Sequence, residues 1–158
     1  MAHIFQLNLS NGGVPKGAVR EARLGAEGLE GDWQKQRRFH GGPLRALCLY
    51  PLEQIVKLQA EGHPIYPGSV GENVTTVGLE WAEIVPGRRL ALGEEAVIEI
   101  TSYTVPCQTI AGSFLDGKSG RISQKTHPGE ARVYARVIRP GLLRAGQAVF
   151  LLGAGESS

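Results

Sequence analysis

Glycine and proline interrupt this chain so often that no long regular element can form: 22 glycines and 9 prolines are spread over 158 residues. The apolar and β-branched runs between them are short, which is the pattern of many strands joined by tight turns. Strands are predicted from Met1 to Leu9, Lys16 to Arg23, Leu47 to Tyr50, Val74 to Val77, Arg88 to Leu92, Ala96 to Ile100, Ala131 to Ile138 and Gln147 to Leu152. Ser10-Asn-Gly-Gly13 reads as a turn, and Gly25 to Asp32 as a glycine-punctuated loop. The clearest helix is Pro51 to Glu61, with proline at its first position and Glu53 in its first turn. Leu52, Ile55, Val56 and Gln59 form its stripe, and Gly62 and Pro64 end it. The fold class is therefore mainly β, an α+β chain with a few short helices. Residues 1–152 are expected to make one domain and residues 153–158 a disordered tail.

Composition excludes several function classes. An apolar share of 42% and a charged share of 20% suit a globular fold that buries about two-thirds of the surface of its unfolded chain. No run approaches the length of a membrane span, and the N-terminus lacks a signal-peptide pattern, so a cytoplasmic location with no membrane partner is expected. The net charge of +2 argues against non-specific nucleic-acid binding, so any positive field is local. Two cysteines in a reducing compartment are expected to be free thiols.

Thr101-Ser-Tyr-Thr-Val-Pro-Cys107-Gln-Thr-Ile110 places one of those thiols at a strand exit. Pro106 lacks an amide hydrogen and biases Val105 towards an extended conformation, so the strand ends before the sulfur. A short helix or turn after Cys107 would put backbone N–H groups near it, a setting for a nucleophile or metal ligand. A small buried hydrophobe is the other reading of such a cysteine. Cys48, inside the apolar run Leu47-Cys-Leu-Tyr50, reads as core.

Three further stretches carry polar groups that could line a pocket. Trp33 and the basic cluster Lys35-Gln-Arg37-Arg38-Phe-His40 run into Gly41-Gly42-Pro43-Leu44-Arg45. Two glycines allow close approach of a bound group, and His40 and Arg45 are donors suited to phosphate or carboxylate. A tight entry into a buried strand would use the same residues. Tyr66 to Asn73 brings Ser69, Glu72 and Asn73 to the start of a strand, where they can bind a heterocycle's edge or cap the turn itself. In the strand Ala131 to Ile138, Val133, Ala135 and Val137 alternate with Arg132, Tyr134 and Arg136; the polar face is either solvated or the wall of an anionic pocket.

Together, His40-Gly-Gly-Pro-Leu-Arg-Ala-Leu-Cys-Leu-Tyr-Pro51, Pro67-Gly-Ser-Val-Gly-Glu-Asn-Val-Thr-Thr-Val-Gly-Leu79, Pro106-Cys107, Ala131-Arg-Val-Tyr-Ala-Arg-Val137 and Pro140-Gly141 resemble the MOSC domain, named for the C-terminal domain of molybdenum cofactor sulfurases. The resemblance covers nearly the whole chain and is nearest to the bacterial stand-alone members. It implies a mixed, barrel-like β-fold with a few helices and a functional cysteine at Cys107.

Two activities follow from the resemblance. In one, Cys107 is a direct molybdenum ligand, the molybdenum cofactor (molybdopterin) is held by His40, Gly41, Gly42, Arg45, Ser69, Asn73, Arg132 and Arg136, and N-hydroxylated compounds are reduced. In the other, Cys107 carries a persulfide received from a pyridoxal-phosphate-dependent cysteine desulfurase. A non-catalytic binding module is the third possibility. Two cysteines cannot hold a four-thiolate iron–sulfur cluster, and no pyridoxal phosphate is expected in this domain. The implied partners are a separate electron-donor protein or a cysteine desulfurase, together with a small-molecule substrate.

Overall fold

The computed structural model of the chain describes residues 1–32 and 42–153. The strands among these residues are β1 (His3–Leu9), β2 (Gly17–Val19), β3 (Glu21–Gly25), β4 (Gly28–Leu29), β5 (Leu47–Pro51), β6 (Val74–Val77), β7 (Arg89–Leu92), β8 (Ala96–Tyr103), β9 (Val133–Arg139), β10 (Gly141–Arg144) and β11 (Val149–Leu152). The α-helix among the described residues is α1 (Leu52–Ala60). Pro51 serves as both the last residue of β5 and the helix N-cap, in extended geometry, one step earlier than the first helical position the sequence suggests.

Eight strands form one mixed sheet in the order β11-β7-β8-β9-β5-β6-β1-β2, and β10-β3-β4 form a second. All pairs in the large sheet are antiparallel except β5 with β6, which α1 connects as a crossover. The ladder does not close into a barrel. Among the described residues β1, next to one end of the ladder, approaches the β11 end through an isolated bridge between His3 and Ala148, with flanking bonds such as Ile4 N–H to Gln147 C=O at 2.9 Å. The expected mainly β, mixed fold is therefore met, and the barrel-like sheet stays open.

Several segments differ from the sequence reading. Lys16 to Arg23 is not one strand: β2 pairs with β1 in the large sheet, whereas β3 pairs with β10 in the small one. The chain changes sheets at Arg20. The Gly25 to Asp32 loop includes a two-residue strand, β4, hairpinned onto β3. In α1 the buried residues are Ile55 and Leu58, while Val56 is exposed, so the packed stripe lies one residue round from the expected one.

The main core fills the space between the two sheets, with Leu24, Leu29 and Leu143 of the small sheet meeting Leu47, Leu49, Val74, Val133 and Ala135 of the large one. A second cluster lies on the other side of β5, where Tyr50, Ile55, Leu58, Ile65, Val70, Ile110, Phe114 and Ile122 pack together. Ile110, Phe114 and Ile122 belong to the excursion 104–132 between β8 and β9, so that segment folds back over the sheet. Charge holds it there: Arg121 pairs with Glu61 at 2.8 Å and Glu130 at 3.1 Å, and Lys57 reaches Glu130 at 2.7 Å. Burial alone would raise the Glu130 carboxyl, but hydrogen bonds from Lys57, Gln54 and Arg121 carry it down to about 2. No helix among the described residues is long and apolar enough to cross a membrane.

Candidate functional site

β8 ends at Tyr103, and Thr104 N–H still bonds Arg132 C=O at 2.9 Å before the chain leaves the sheet. Val105 and Pro106 carry it outwards to Cys107, which is extended and opens a 3-10 segment, Gln108–Ser113. Buried Ile110 anchors that segment. The Cys107 thiol is half-buried, with Sγ 2.8 Å from the Thr109 hydroxyl. Both expectations from Pro106 are met: the strand stops short of the sulfur, and a short turn follows it.

Arg45 arrives from a second loop. Gly42 adopts φ 90°, a left-handed conformation that a side chain would strain, and starts a 3-10 turn, Pro43–Arg45. The turn is pinned by Arg45 N–H to Gly42 C=O at 3.0 Å and by the Thr101 hydroxyl to Leu44 C=O at 2.6 Å. A close approach supports it from below, since a Cβ on Gly28 of β4 would lie 2.5 Å from the Ala46 carbonyl oxygen. The Arg45 guanidinium lies over the Tyr134 ring, 5.6 Å from its centroid. His40 and Gly41, with Trp33 and the basic cluster before them, lie outside the described residues.

Tyr134 is the residue that the Arg45 turn covers. In β9 it stands opposite Cys48 of β5 and Ser102 of β8. Burial pushes its phenol up to about 12, a shift reinforced by Cys48, opposed by Arg132 and Arg45, and reinforced again by Cys107. Both sulfurs and both guanidiniums thus act on one hydroxyl. Burial also pushes the Cys48 thiol up, against the influence of Arg132; its Sγ lies 3.7 Å from the Thr104 hydroxyl. Cys48 is core, as its apolar run predicts.

Arg132 is 5% exposed, donates from Nη1 to Val70 C=O at 2.6 Å, and leaves Nε without a partner. Among the described residues no carboxylate lies in ion-pair range of it. Glu72, fully buried, accepts from Gly68 N–H at 3.0 Å and the Thr75 hydroxyl at 2.9 Å through Oε2, while Oε1 has no partner. Burial raises its carboxyl, and hydrogen bonds and then Arg132 oppose the rise. The 66–73 loop reaches the cysteine segment as well: the Ser113 hydroxyl donates to Ser69 C=O at 3.4 Å.

The remaining sequence-selected residues sit around this centre in different roles. The Ser69 hydroxyl accepts from Tyr66 N–H at 3.0 Å, which closes its own turn. Asn73 accepts from Cys48 N–H at 3.0 Å and donates to Asp32 at 2.8 Å, tying the loop to β5. Arg136 pairs with Glu99 at 3.0 Å on the sheet surface, where Arg89 binds the same carboxylate. Hydrogen bonds from Arg89 and then Arg136 hold Glu99 below the usual carboxylate range. The structure thus lays Arg45 over Tyr134, whose titration also feels Arg132 and Cys107, uses Ser69 and Asn73 to hold their own loop, and directs Arg136 to Glu99.

One buried feature had no sequence signal. Lys16 pairs with Asp32 at 2.6 Å, the two side chains 7% and 4% exposed, and Asp32 also holds Asn73. The partners come from loops that only the folded chain brings together. Among the described residues no group of three or more His, Cys, Asp or Glu side chains could hold a metal ion.

The family model described as the MOSC domain matches residues 36–150. The uncharacterized protein YflK of Bacillus subtilis (strain 168) is 31% identical over 146 residues, covering 91% of this chain and 65% of YflK. Protein YiiM of Escherichia coli (strain K12) is 32% identical over 129 residues, covering 79% of this chain and 56% of YiiM. The chain therefore spans less than two-thirds of the length of these curated relatives. The crystal structure of YiiM from Geobacillus stearothermophilus has a TM-score of 0.75 at 22% identity, over 98% of this chain and 77% of that one. Escherichia coli YiiM gives 0.73 at 27% identity, over 99% and 72%. With a family model matched over most of its length and a relative sharing 31% of its residues along nearly all of it, the chain belongs to the MOSC family.

Proposed function

We propose that this MOSC protein binds the molybdenum cofactor, with Cys107 as the protein's ligand to molybdenum, and supports reduction of N-hydroxylated compounds using electrons from a separate donor protein. The observation that carries the reading is Arg132, a guanidinium 5% exposed, next to a strand exit bearing an accessible thiol. Among the described residues no carboxylate pairs with it. A buried cation with no carboxylate in ion-pair range is costly, and an anionic ligand reaching it would offset that cost.

The donor set fits the cofactor's chemistry. A soft thiolate suits molybdenum, and Cys107 is the residue that would hold it. Arg45 and Arg132 are planar donors suited to a phosphate, and Gly42 lets backbone approach it. His40 and Gly41 complete this loop in the reading. Arg136 takes part by exchanging its Glu99 partner, and Ser69 and Asn73 by holding the loops in place. Bound there, the cofactor supplies two-electron chemistry at its metal. The chain's own residues orient it: Cys107 fixes the metal end, the arginines fix the phosphate end, and Tyr134 keeps its proton through neutral pH as a hydrogen-bond donor between them.

The half-buried Cys107 sulfur, 2.8 Å from the Thr109 hydroxyl, favours a second reading, in which it carries a persulfide from a cysteine desulfurase. Metal and pterin content separates the two. Protein made in a host competent for cofactor synthesis is expected to contain molybdenum and pterin, and Cys107→Ser to lose the metal while its circular dichroism is unchanged. Wild-type protein free of both, yet labelled on Cys107 by a desulfurase and cysteine, would establish the carrier instead.

A further inference from the structure

We infer that His63 is a pH-sensitive clasp, whose neutral ring holds the turn after the Cys107 segment against the end of α1 and whose protonation releases it. The helix end places the ring rigidly. Gly62 adopts φ 100°, and the Gly62 and His63 N–H groups close onto Gln59 C=O at 2.9 Å and Leu58 C=O at 3.1 Å. The imidazole is 10% exposed and packs edge-on against Phe114, with ring centroids 5.5 Å apart. Leu115 N–H donates to its Nδ1 at 3.0 Å. The chain there directly continues the 3-10 segment, Gln108–Ser113, that Cys107 opens, and Gly117 N–H closes its turn onto Phe114 C=O at 3.0 Å.

The contact with Leu115 fixes the state of the ring. A backbone N–H only donates, so Nδ1 offers a lone pair and the neutral ring carries its proton on Nε2, 3.5 Å from Glu61 Oε1. An imidazolium has N–H groups on both nitrogens, and its Nδ1–H would oppose Leu115 N–H. The hydrogen bond is then lost. Hydrogen bonds from Arg121 hold the Glu61 carboxyl below the usual range, so an anion stands beside Nε2 in both states of the ring. Arg121 reaches Glu61 from the excursion with Nε at 3.0 Å and Nη2 at 2.8 Å, and shares Glu130 with Lys57 of α1. Asp116 and Lys118 lie in the clasped turn itself and are exposed. These ion pairs, with buried Ile110, Phe114 and Ile122, keep the excursion on the sheet when the ring is charged. Acid therefore frees the turn over residues 115–118 and not the whole segment. Because the open turn takes up a proton that the closed one excludes, falling pH favours opening. The inference holds whether Cys107 binds molybdenum or carries a persulfide.

The test is NMR on the nitrogen-15-labelled full chain, as wild type, His63→Asn and His63→Phe. Asparagine presents an acceptor near the place of Nδ1 without titrating, and phenylalanine keeps a ring without an acceptor. At about pH 8 the wild-type imidazole is expected to carry its proton on Nε2 alone, with the Leu115 amide protected from hydrogen exchange. Lowering the pH to about 5 should charge the ring and cut that protection about five-fold after correction for the intrinsic exchange rate, the effect of one hydrogen bond. His63→Asn should keep the protection at both pH values, and His63→Phe should lack it at both. The Leu49 amide, in β5, should stay protected in all three proteins; its loss in parallel with Leu115 would mean global unfolding and would overturn the clasp. An Nδ1–H tautomer at about pH 8, or a ring still neutral at about pH 5, would overturn it too. So would a ring that titrates while Leu115 exchange stays constant, or a His63→Asn protein that loses protection as wild type does. The wild-type measurements decide the inference even where a variant fails to fold.

Discussion

Leu49 and Cys48 are neighbours in β5, yet their side chains enter two different environments. Leu49 stands between Val74 and Val133 and, with Leu47 and Ala135, belongs to the main core between the sheets. Cys48 stands opposite Tyr134, on the face shared with Arg132, Thr104 and Glu72. The first face is mainly apolar and is held by shape, although it includes Thr76, whose buried hydroxyl also has no partner. The second buries a guanidinium and a carboxyl that each leave an atom unbonded, Arg132 Nε and Glu72 Oε1. Such atoms are unfavourable for folding, and proteins tolerate them where a site requires them. The difference teaches where stability and chemistry are divided in this fold: along the two sides of the same three strands, β6, β5 and β9.

Substitutions on either side sharpen that division. The largest stability effect is expected from Leu49→Ala. Leu49 is fully buried, so its truncation should destabilise the protein by about 2–5 kcal/mol in urea unfolding, while the folded fraction still takes up cofactor. A loss below about 1 kcal/mol would mean that the apolar face is less tightly packed than the burial implies.

Glu72→Gln tests the opposite face through pH. Burial raises the Glu72 carboxyl above its unfolded value of about 4.3, so the folded state retains a proton that the unfolded chain has released. Its contribution is fully present below that value and is lost as pH rises through the folded titration. Wild-type stability should therefore fall with rising pH relative to Glu72→Gln, which does not titrate. Parallel stability curves for the two proteins between pH 4 and 8 would exclude Glu72 as a buried acid.

Cys48→Ala should have the smallest effect. It removes a thiol whose polar contact is the 3.7 Å approach to Thr104, and a cost of about 1 kcal/mol is expected with molybdenum and pterin loading preserved. Loading lost in Cys48→Ala to the same extent as in Cys107→Ser would break the distinction between a core thiol and a functional one.

What the sequence determined by itself follows from local chemistry. β-branched and apolar runs set most of the strands, Pro51 and Glu53 began the helix, and Pro106 stopped β8 before Cys107. The apolar surroundings of Cys48 already marked it as core, because burial of a short run between strand-forming residues is a property of the run itself. Tertiary structure decided whatever depends on which distant segments meet. Arg20 divides a predicted single strand because β2 and β3 find different neighbours, β1 and β10. Arg132, Tyr134 and Arg136 alternate identically in sequence, yet one is buried without a carboxylate in ion-pair range among the described residues, one carries Arg45 on its ring, and one pairs with Glu99. A strand's period assigns a face, but the partner on that face comes from strands and loops far away in the chain, and only their closure over the sheet selects it.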